Sequence, residues 1–210
     1  MSITASISEK LQQGKAKDVK ELVGQALAEG LGAKVILEEG LIQAMMEVGR
    51  KFKENLVFVP EVLIAARAMN AGLEILKPEL VAQGVEPVGK AVICTVRGDL
   101  HDIGKNLVKM MMEGVGVECI DLGVDIGGEE IVKAVKETGA TVVCLSALLT
   151  TTMMSQKDII EALKEAGLRD TVKVMVGGAP VTQSFADEIG ADAYTQDAAS
   201  AAETILTFFE

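Results

Sequence analysis

The stretch Ala91-Val92-Ile93-Cys94-Thr95-Val96-Arg97-Gly98-Asp99-Leu100-His101-Asp102-Ile103-Gly104-Lys105-Asn106 decides how this chain folds. Its first six residues form a short apolar run that stops at Arg97-Gly98, the pattern of a strand buried on both faces. From Ile103 to Glu113 the apolar residues recur at helical spacing. The same strand-loop-helix unit repeats downstream. Strands are predicted at Val117–Asp121 and Thr141–Ser146, and helices at Glu129–Glu137, Met153–Ala166, Thr182–Ile189 and Ala198–Phe209. Cys94, Cys119 and Cys144 fall 25 residues apart, one per unit, each inside an apolar run. They read as small core residues, since neither a CxxC clip nor a dense disulfide framework has such spacing. Five strands alternating with five helices imply right-handed crossovers and a mostly parallel, doubly wound sheet. Ligands on such sheets bind beyond the carboxyl ends of the strands, at the topological switch point. The loops after the first and third strands are therefore the places to search.

Upstream of this region the pattern is helical only. Val62, Ala65, Ala66, Met69, Leu73 and Leu76 form one apolar stripe on a helix opened by Pro60-Glu61 and expected to close near Lys77, before Pro78. The stretches 16–29 and 33–52 share the period, with Gly30 and Gly32 between them, and a further helix is expected around 3–13. These predict an N-terminal four-helix bundle. Gln83-Gly84-Val85-Glu86-Pro87 reads as a linker. The expected division is a helical domain over 1–88 and an α/β domain over 89–210.

The chain has 210 residues, 49% of them hydrophobic, with 20 Lys+Arg against 31 Asp+Glu and a formal charge of −11. Such a composition can bury a core. The acidity argues against nucleic acid as a partner, because gripping phosphates requires clustered basic side chains. The sequence carries no apolar run of membrane-spanning length and no export-type start, so a cytoplasmic address is expected. There is a single histidine, His101.

The loop after the first strand resembles a P-loop only superficially. Five residues separate Gly98 from Gly104, and Asn106 stands where a Walker A motif needs a hydroxyl for Mg²⁺. No GxGxxG is present, so a nicotinamide or flavin site lacks support. A phosphoryl-accepting receiver domain needs an Asp at the end of the third strand, where this chain has Ser146-Ala147-Leu148. What the loop does offer is an imidazole two residues from a carboxylate. A metal-ligating His commonly donates its other ring N–H to a carboxylate, which fixes the tautomer and raises the basicity of the ligating nitrogen. Asp99 can supply that carboxylate, with Ser146 expected to extend the network. One imidazole cannot hold a bare ion alone, so a metal already caged in a macrocycle is the natural candidate.

Asp99-Leu100-His101-Asp102-Ile103-Gly104, then Ser146-Ala147-Leu148 after 41 residues, then Gly177-Gly178 after 28 more, resemble the DxHxxG, SxL and GG signature of cobalamin-binding domains. In that family the cofactor is bound base-off with a histidine on cobalt. Val48-Gly49, Phe52, Phe58-Val59-Pro60-Glu61 and Ala68-Met69 are similar to the helical cap of cobalamin-dependent methionine synthase. The resemblance covers essentially the whole chain. A cap joined only to a cobalamin domain is similar to the small corrinoid proteins of methanol, methylamine, betaine and aryl-ether methyltransferase systems.

The resemblance implies a flavodoxin-like, Rossmann-like sheet of five parallel strands binding cobalamin or a related corrinoid. It implies His101 as lower axial ligand to cobalt, with Asp99 and Ser146 as its hydrogen-bond relay. The signature loop Gly98, Asp99, Leu100, His101, Asp102, Ile103 and Gly104 would contact the cofactor. Its displaced tail would run along Gly98, Ser146, Leu148, Thr150, Gly177 and Gly178, with Ala198 touching it again. Phe52, Val59 and Val62 would cover the upper face, and Glu38 would be a further cap contact. The implied function is methyl carriage as methylcob(III)alamin, from a substrate-specific methyltransferase to a second one using tetrahydrofolate or coenzyme M. A reductive activation protein would be a further partner. The chain is expected to be a non-catalytic subunit, since 210 residues leave no room for a barrel that activates a methyl donor. The alternative is a cobalamin-responsive regulator, for which no basic helix-turn-helix is found.

Overall fold

The computed structural model describes residues 2–210 of the chain. These form two compact units, one built mainly from residues up to Pro87 and one from Val88 onward.

The first unit is all helical. α1 (Ile3–Gln12) is capped by the Ser2 hydroxyl, which accepts from the Ala5 N–H at 3.2 Å. α2 (Ala16–Ala28) ends just before Gly30, whose φ of +85° a side chain would resist. α3 (Ala33–Val35) runs directly into a π-helical stretch, Ile36–Ile42, and then into α4 (Gln43–Lys53). Sequence periodicity reads this as one uninterrupted α-helix; the wider π turn is invisible to it because both keep one face apolar. α5 (Val59–Ala82) starts with the Glu61 carboxylate accepting from the Phe58 N–H at 2.9 Å. It does not close at Lys77 but continues through Pro78. Burial of Leu76 and Leu80 on either side extends the apolar stripe across the proline and offsets its lost N–H bond. α2 and α5 pack closely, with Leu11, Val19, Leu41, Met45, Met69 and Leu76 among the buried side chains.

The second unit is a five-stranded sheet in the order β2-β1-β3-β4-β5, parallel throughout. The strands are β1 (Gly89–Thr95), β2 (Val117–Asp121), β3 (Val142–Ser146), β4 (Lys173–Gly177) and β5 (Ala193–Tyr194). They alternate with α6 (Ile103–Gly114), α7 (Gly128–Thr138), α8 (Met154–Glu165), α9 (Gln183–Ile189) and α10 (Ala198–Thr207). One face buries Val92, Cys94, Val143, Leu145, Val174 and Val176 against side chains of α7, α8 and α9. On the other face Cys144 meets Met112 of α6, sulfur to sulfur, at 3.9 Å. All three cysteines are free, and burial pushes the Cys94 and Cys119 thiols up to about 12, so neither is a thiolate at neutral pH. The strand order reverses between β1 and β3, which places the switch point between the loop holding His101 and the loop after Ser146. Register aligns Thr95, Ser146 and Gly177 side by side at the ends of β1, β3 and β4. Among the described residues no helix is long and apolar enough to cross a membrane.

Candidate functional site

The loop after β1 cannot be extended chain, because two groups pull it back over the sheet. Gly98 adopts φ +83° and donates its N–H to Asp125 Oδ1 at 2.7 Å. Asp125, itself left-handed at φ +60°, returns its N–H to the Asp99 carbonyl at 3.1 Å. A non-glycine residue held there costs free energy that the surrounding bonds must offset. The turn drives the Asp99 side chain inward until none of it is exposed.

Asp99 is the centre of the site. Oδ1 accepts from the His101 N–H at 3.0 Å and sits 2.7 Å from Nδ1 of the same residue. Oδ2 accepts from the Leu148 N–H and from the Thr152 hydroxyl, both at 2.7 Å. Burial alone would push this carboxyl up, but the bonds from Thr152, Leu148 and His101 outweigh it and hold it well below the usual carboxylate range. Asp99 is therefore an anion and Nδ1 of His101 carries the proton. That leaves Nε2 without a hydrogen-bond partner among the described residues, on a ring whose side chain is 52% exposed.

The hydroxyl on Asp99 in this structure is thus that of Thr152, and no hydrogen bond joins Ser146 to the carboxylate. The reason is the pleat. Ser146 is the last residue of β3 and stands in the row with Thr95 and Gly177, whereas the chain must turn past Leu148 before a side chain can come down onto the carboxylate. Nothing in the run Thr150-Thr151-Thr152 marks its third member in advance; only the fold buries Thr152 while Thr150 and Thr151 stay exposed.

Around His101 the surface is apolar to an unusual degree for loop tips. Leu100 is 71% exposed and Ile103 79%, and Leu148 and Leu149 of the opposing loop are 43% each. Asp102 and Gly104 are also exposed, the former accepting from Asn106 Nδ2 at 3.1 Å. At the end of β4, Gly177 and Gly178 are half-buried. Gly178 has φ +129°, and a Cβ there would run into the Ala147 carbonyl. Ala198, the first residue of α10, is buried. A flat apolar ring system with one open coordination position fits this surface. The leucines and Ile103 would lie under its rim, Nε2 would face its metal, and the bare backbone of the glycines leaves room for a bulky tail. Among the described residues no group of three His, Cys, Asp or Glu could hold a bare ion.

The expected cap residues are distributed differently. Glu38 is exposed on the π-helical stretch, with a carboxylate oxygen 3.6 Å from Lys34 Nζ. Phe52 is half-buried and Val59 is 36% exposed. Val62 has no exposed surface and lies on the buried stripe of α5 with Ala65, Met69 and Leu76. The aromatic that does offer a surface is Phe58, 61% exposed, beside Leu56 at 64%. Both precede α5 in the apolar run Leu56-Val57-Phe58, and such a run just before a helix start was the available signal.

A parallel sheet in this order, presenting one carboxylate-anchored imidazole at its switch point, defines a flavodoxin-like ligand-binding domain. A B12 binding domain family matches residues 89–206, and a second family of the same description matches residues 3–77. A corrinoid protein of Desulfitobacterium hafniense (strain Y51) is 44% identical over 206 residues, covering 97% of this chain and 95% of its own. Trimethylamine corrinoid protein 1 of Methanosarcina acetivorans is 46% identical over 180 residues, 85% of this chain and 83% of its own. A cobalamin-binding protein from Desulfitobacterium hafniense DCB-2 superposes with a TM-score of 0.83 at 31% identity, over 100% of this chain and 99% of that one. A chain of the methanol:cobalamin methyltransferase complex from Methanosarcina barkeri gives 0.87 at 29% identity, over 99% of this chain and 79% of that one. The chain belongs to the B12-binding corrinoid proteins, and its cofactor is a cobalamin-type corrinoid.

Proposed function

We propose that this chain is the methyl-carrying subunit of a corrinoid-dependent methyltransferase system. It takes a methyl group from a substrate-specific methyltransferase and presents it to a second methyltransferase, whose acceptor is tetrahydrofolate or coenzyme M. A methylamine is the favoured donor, because relatives at 46% and 45% identity are named trimethylamine and dimethylamine corrinoid proteins. The neighbour from a methanol:cobalamin methyltransferase complex supports a methyltransferase as partner. A reductive activation protein completes the proposed set.

One observation carries the reading: His101 is tied through Nδ1 to a sealed carboxylate and leaves Nε2 open amid an apolar surface. When bound, the corrinoid supplies the nucleophilic metal and carries the methyl group. The protein residues do the rest. His101 would be the lower axial ligand, with the cofactor's own base displaced along Gly98, Ser146, Leu148, Thr150, Gly177 and Gly178 and against Ala198. Residues 89–210 would be the cofactor domain and residues 1–88 the cap, with Phe58 and Leu56 joining Phe52 and Val59 as its covering side chains. Asp99, held by Thr152 and the Leu148 N–H, fixes the ring's tautomer and direction. Because Asp99 stays ionised, it is a poor proton carrier. Asp99 would therefore hold and orient the imidazole without itself being protonated.

Full-length protein reconstituted with hydroxocobalamin tests this. Wild type should retain red corrinoid through gel filtration and show histidine-nitrogen splitting in the electron paramagnetic resonance spectrum of the cobalt(II) form. His101→Ala should retain corrinoid more loosely and lose that splitting. An unchanged spectrum would remove His101 from the axial position.

A further inference from the structure

Thr95 is the last residue of β1, is wholly buried, and has no part in the function proposed above. Its hydroxyl donates to the main-chain carbonyl of His101 at 2.9 Å. Together with the bonds to Asp99, this holds His101 by three groups: its N–H and ring Nδ1 on Asp99 Oδ1, and its carbonyl on Thr95.

The three anchors are not equivalent. Two end on the side chain of Asp99, which is itself held by the loop after β3 through Thr152 and the Leu148 N–H. The third ends on the sheet. Thr95 is fixed on both sides, by register with Ser146 on β3 and by its N–H and carbonyl, which bond Gly123 at 2.9 Å and Ile126 at 3.1 Å. Its hydroxyl is therefore a stationary reference against which the peptide after His101 is set. A ring nitrogen several bonds from that peptide moves through a long arc for a small rotation of the backbone. Fixing the carbonyl fixes where Nε2 points.

We infer that Thr95 is a positioning residue for His101: by tying the His101 carbonyl to the end of β1, it sets the direction of Nε2 toward the ligand. The inference rests on the reading of His101 as axial ligand. It assigns a specific task to a buried hydroxyl that sheet propensity alone does not demand, since valine would fill the same volume in a strand.

Thr95→Val removes the hydroxyl with little change of shape, Thr95→Ser restores it, and Thr95→Ala replaces the valine variant should that one fail to fold. Two readouts are needed. In the full-length protein without corrinoid, the only imidazole is that of His101, so its ring signals in nuclear magnetic resonance are unambiguous. Wild type and Thr95→Ser should each give one set of ring signals, and Thr95→Val a second or broadened set. In the hydroxocobalamin-loaded protein reduced to cobalt(II), the ratio of nitrogen-split to unsplit signal should fall about fivefold in Thr95→Val, the equivalent of one hydrogen bond, and return in Thr95→Ser. Identical ring signals and splitting in Thr95→Val and wild type would overturn the assignment. If wild type itself shows no nitrogen splitting, the ligand reading fails and the inference with it, while the ring signals still report whether Thr95 orients the imidazole.

Discussion

Asp99 shows how a carboxylate can be enclosed by protein and still be an anion. Four donated bonds replace the water it gives up, and two of them, from Thr152 and the Leu148 N–H, come from the far side of the switch point. The folded-state pKa is thereby lowered relative to the value near 3.9 of an unfolded chain. A lowered acid contributes stability that is complete above about pH 4 and is lost as pH falls toward the folded-state value. Thr152→Val removes one bond to the charged oxygen and should cost about 2 kcal/mol at neutral pH. Protonation of the unfolded chain is common to both proteins and cancels, so the loss should shrink at pH 3 because Thr152→Val raises the folded-state value of Asp99 toward that pH. Urea unfolding at pH 7 and pH 3 measures both; an equal loss at the two pH values would show that the hydroxyl does not act through the charge of Asp99. The pair His101 and Asp99 is legible in sequence because the two residues are neighbours in one short motif. Thr152 is not, since its role arises only when a second loop folds over the first.

Among the elements, the strands of the sheet were the easiest to read. β1, β3 and β4 are largely buried and appear as apolar runs, and the cysteines of β1, β2 and β3 give the spacing of the first three; β2, with its exposed Glu118, and the two-residue β5 are weaker signals. The helical unit was legible in its stripes but not in its irregularities. The π turn within Ile36–Ile42 and the passage of α5 through Pro78 are both set by packing, which the local sequence does not encode. The close approach of α2 to α5 is similar: a Cβ on Gly72 would lie 3.1 Å from a Val19 methyl and 3.0 Å from Leu41. At the end of β4 the demand is stronger. Gly178 combines a φ of +129° with a collision between any Cβ and the Ala147 carbonyl on the neighbouring strand's loop. Gly178→Ala must therefore displace the β3 loop that also carries the Leu148 N–H, at a cost of about 3 kcal/mol. Because that N–H bonds Asp99, which holds His101, the damage should reach the imidazole: the midpoint of thermal unfolding should fall and corrinoid retention with it. Wild-type retention in Gly178→Ala would show that the β3 and β4 loops move independently of the site.

At the scale of the whole molecule, the exposed Leu100, Ile103, Leu148 and Leu149 are surface that a bound corrinoid would cover, and coverage should appear as stability. A ligand that binds only the folded protein stabilises it by an amount fixed by its concentration relative to Kd, about 2.7 kcal/mol at one hundred times Kd. The unfolded chain is a weak competitor. It offers a single imidazole, and without the fold nothing gathers the glycines and apolar loops around it. For a cofactor unit of this size the gain corresponds to a rise of about 10 °C in midpoint. Differential scanning calorimetry of the full chain with excess hydroxocobalamin should show that rise in wild type. It should persist in reduced form in His101→Ala if, as proposed, the apolar loops and glycines hold the ring and His101 adds a bond to cobalt. The difference between the two rises isolates what coordination adds to contact. A wild-type midpoint that did not move with corrinoid would leave the apolar rim without a ligand. Equal rises in wild type and His101→Ala would mean that His101 stands near the cofactor without binding its metal.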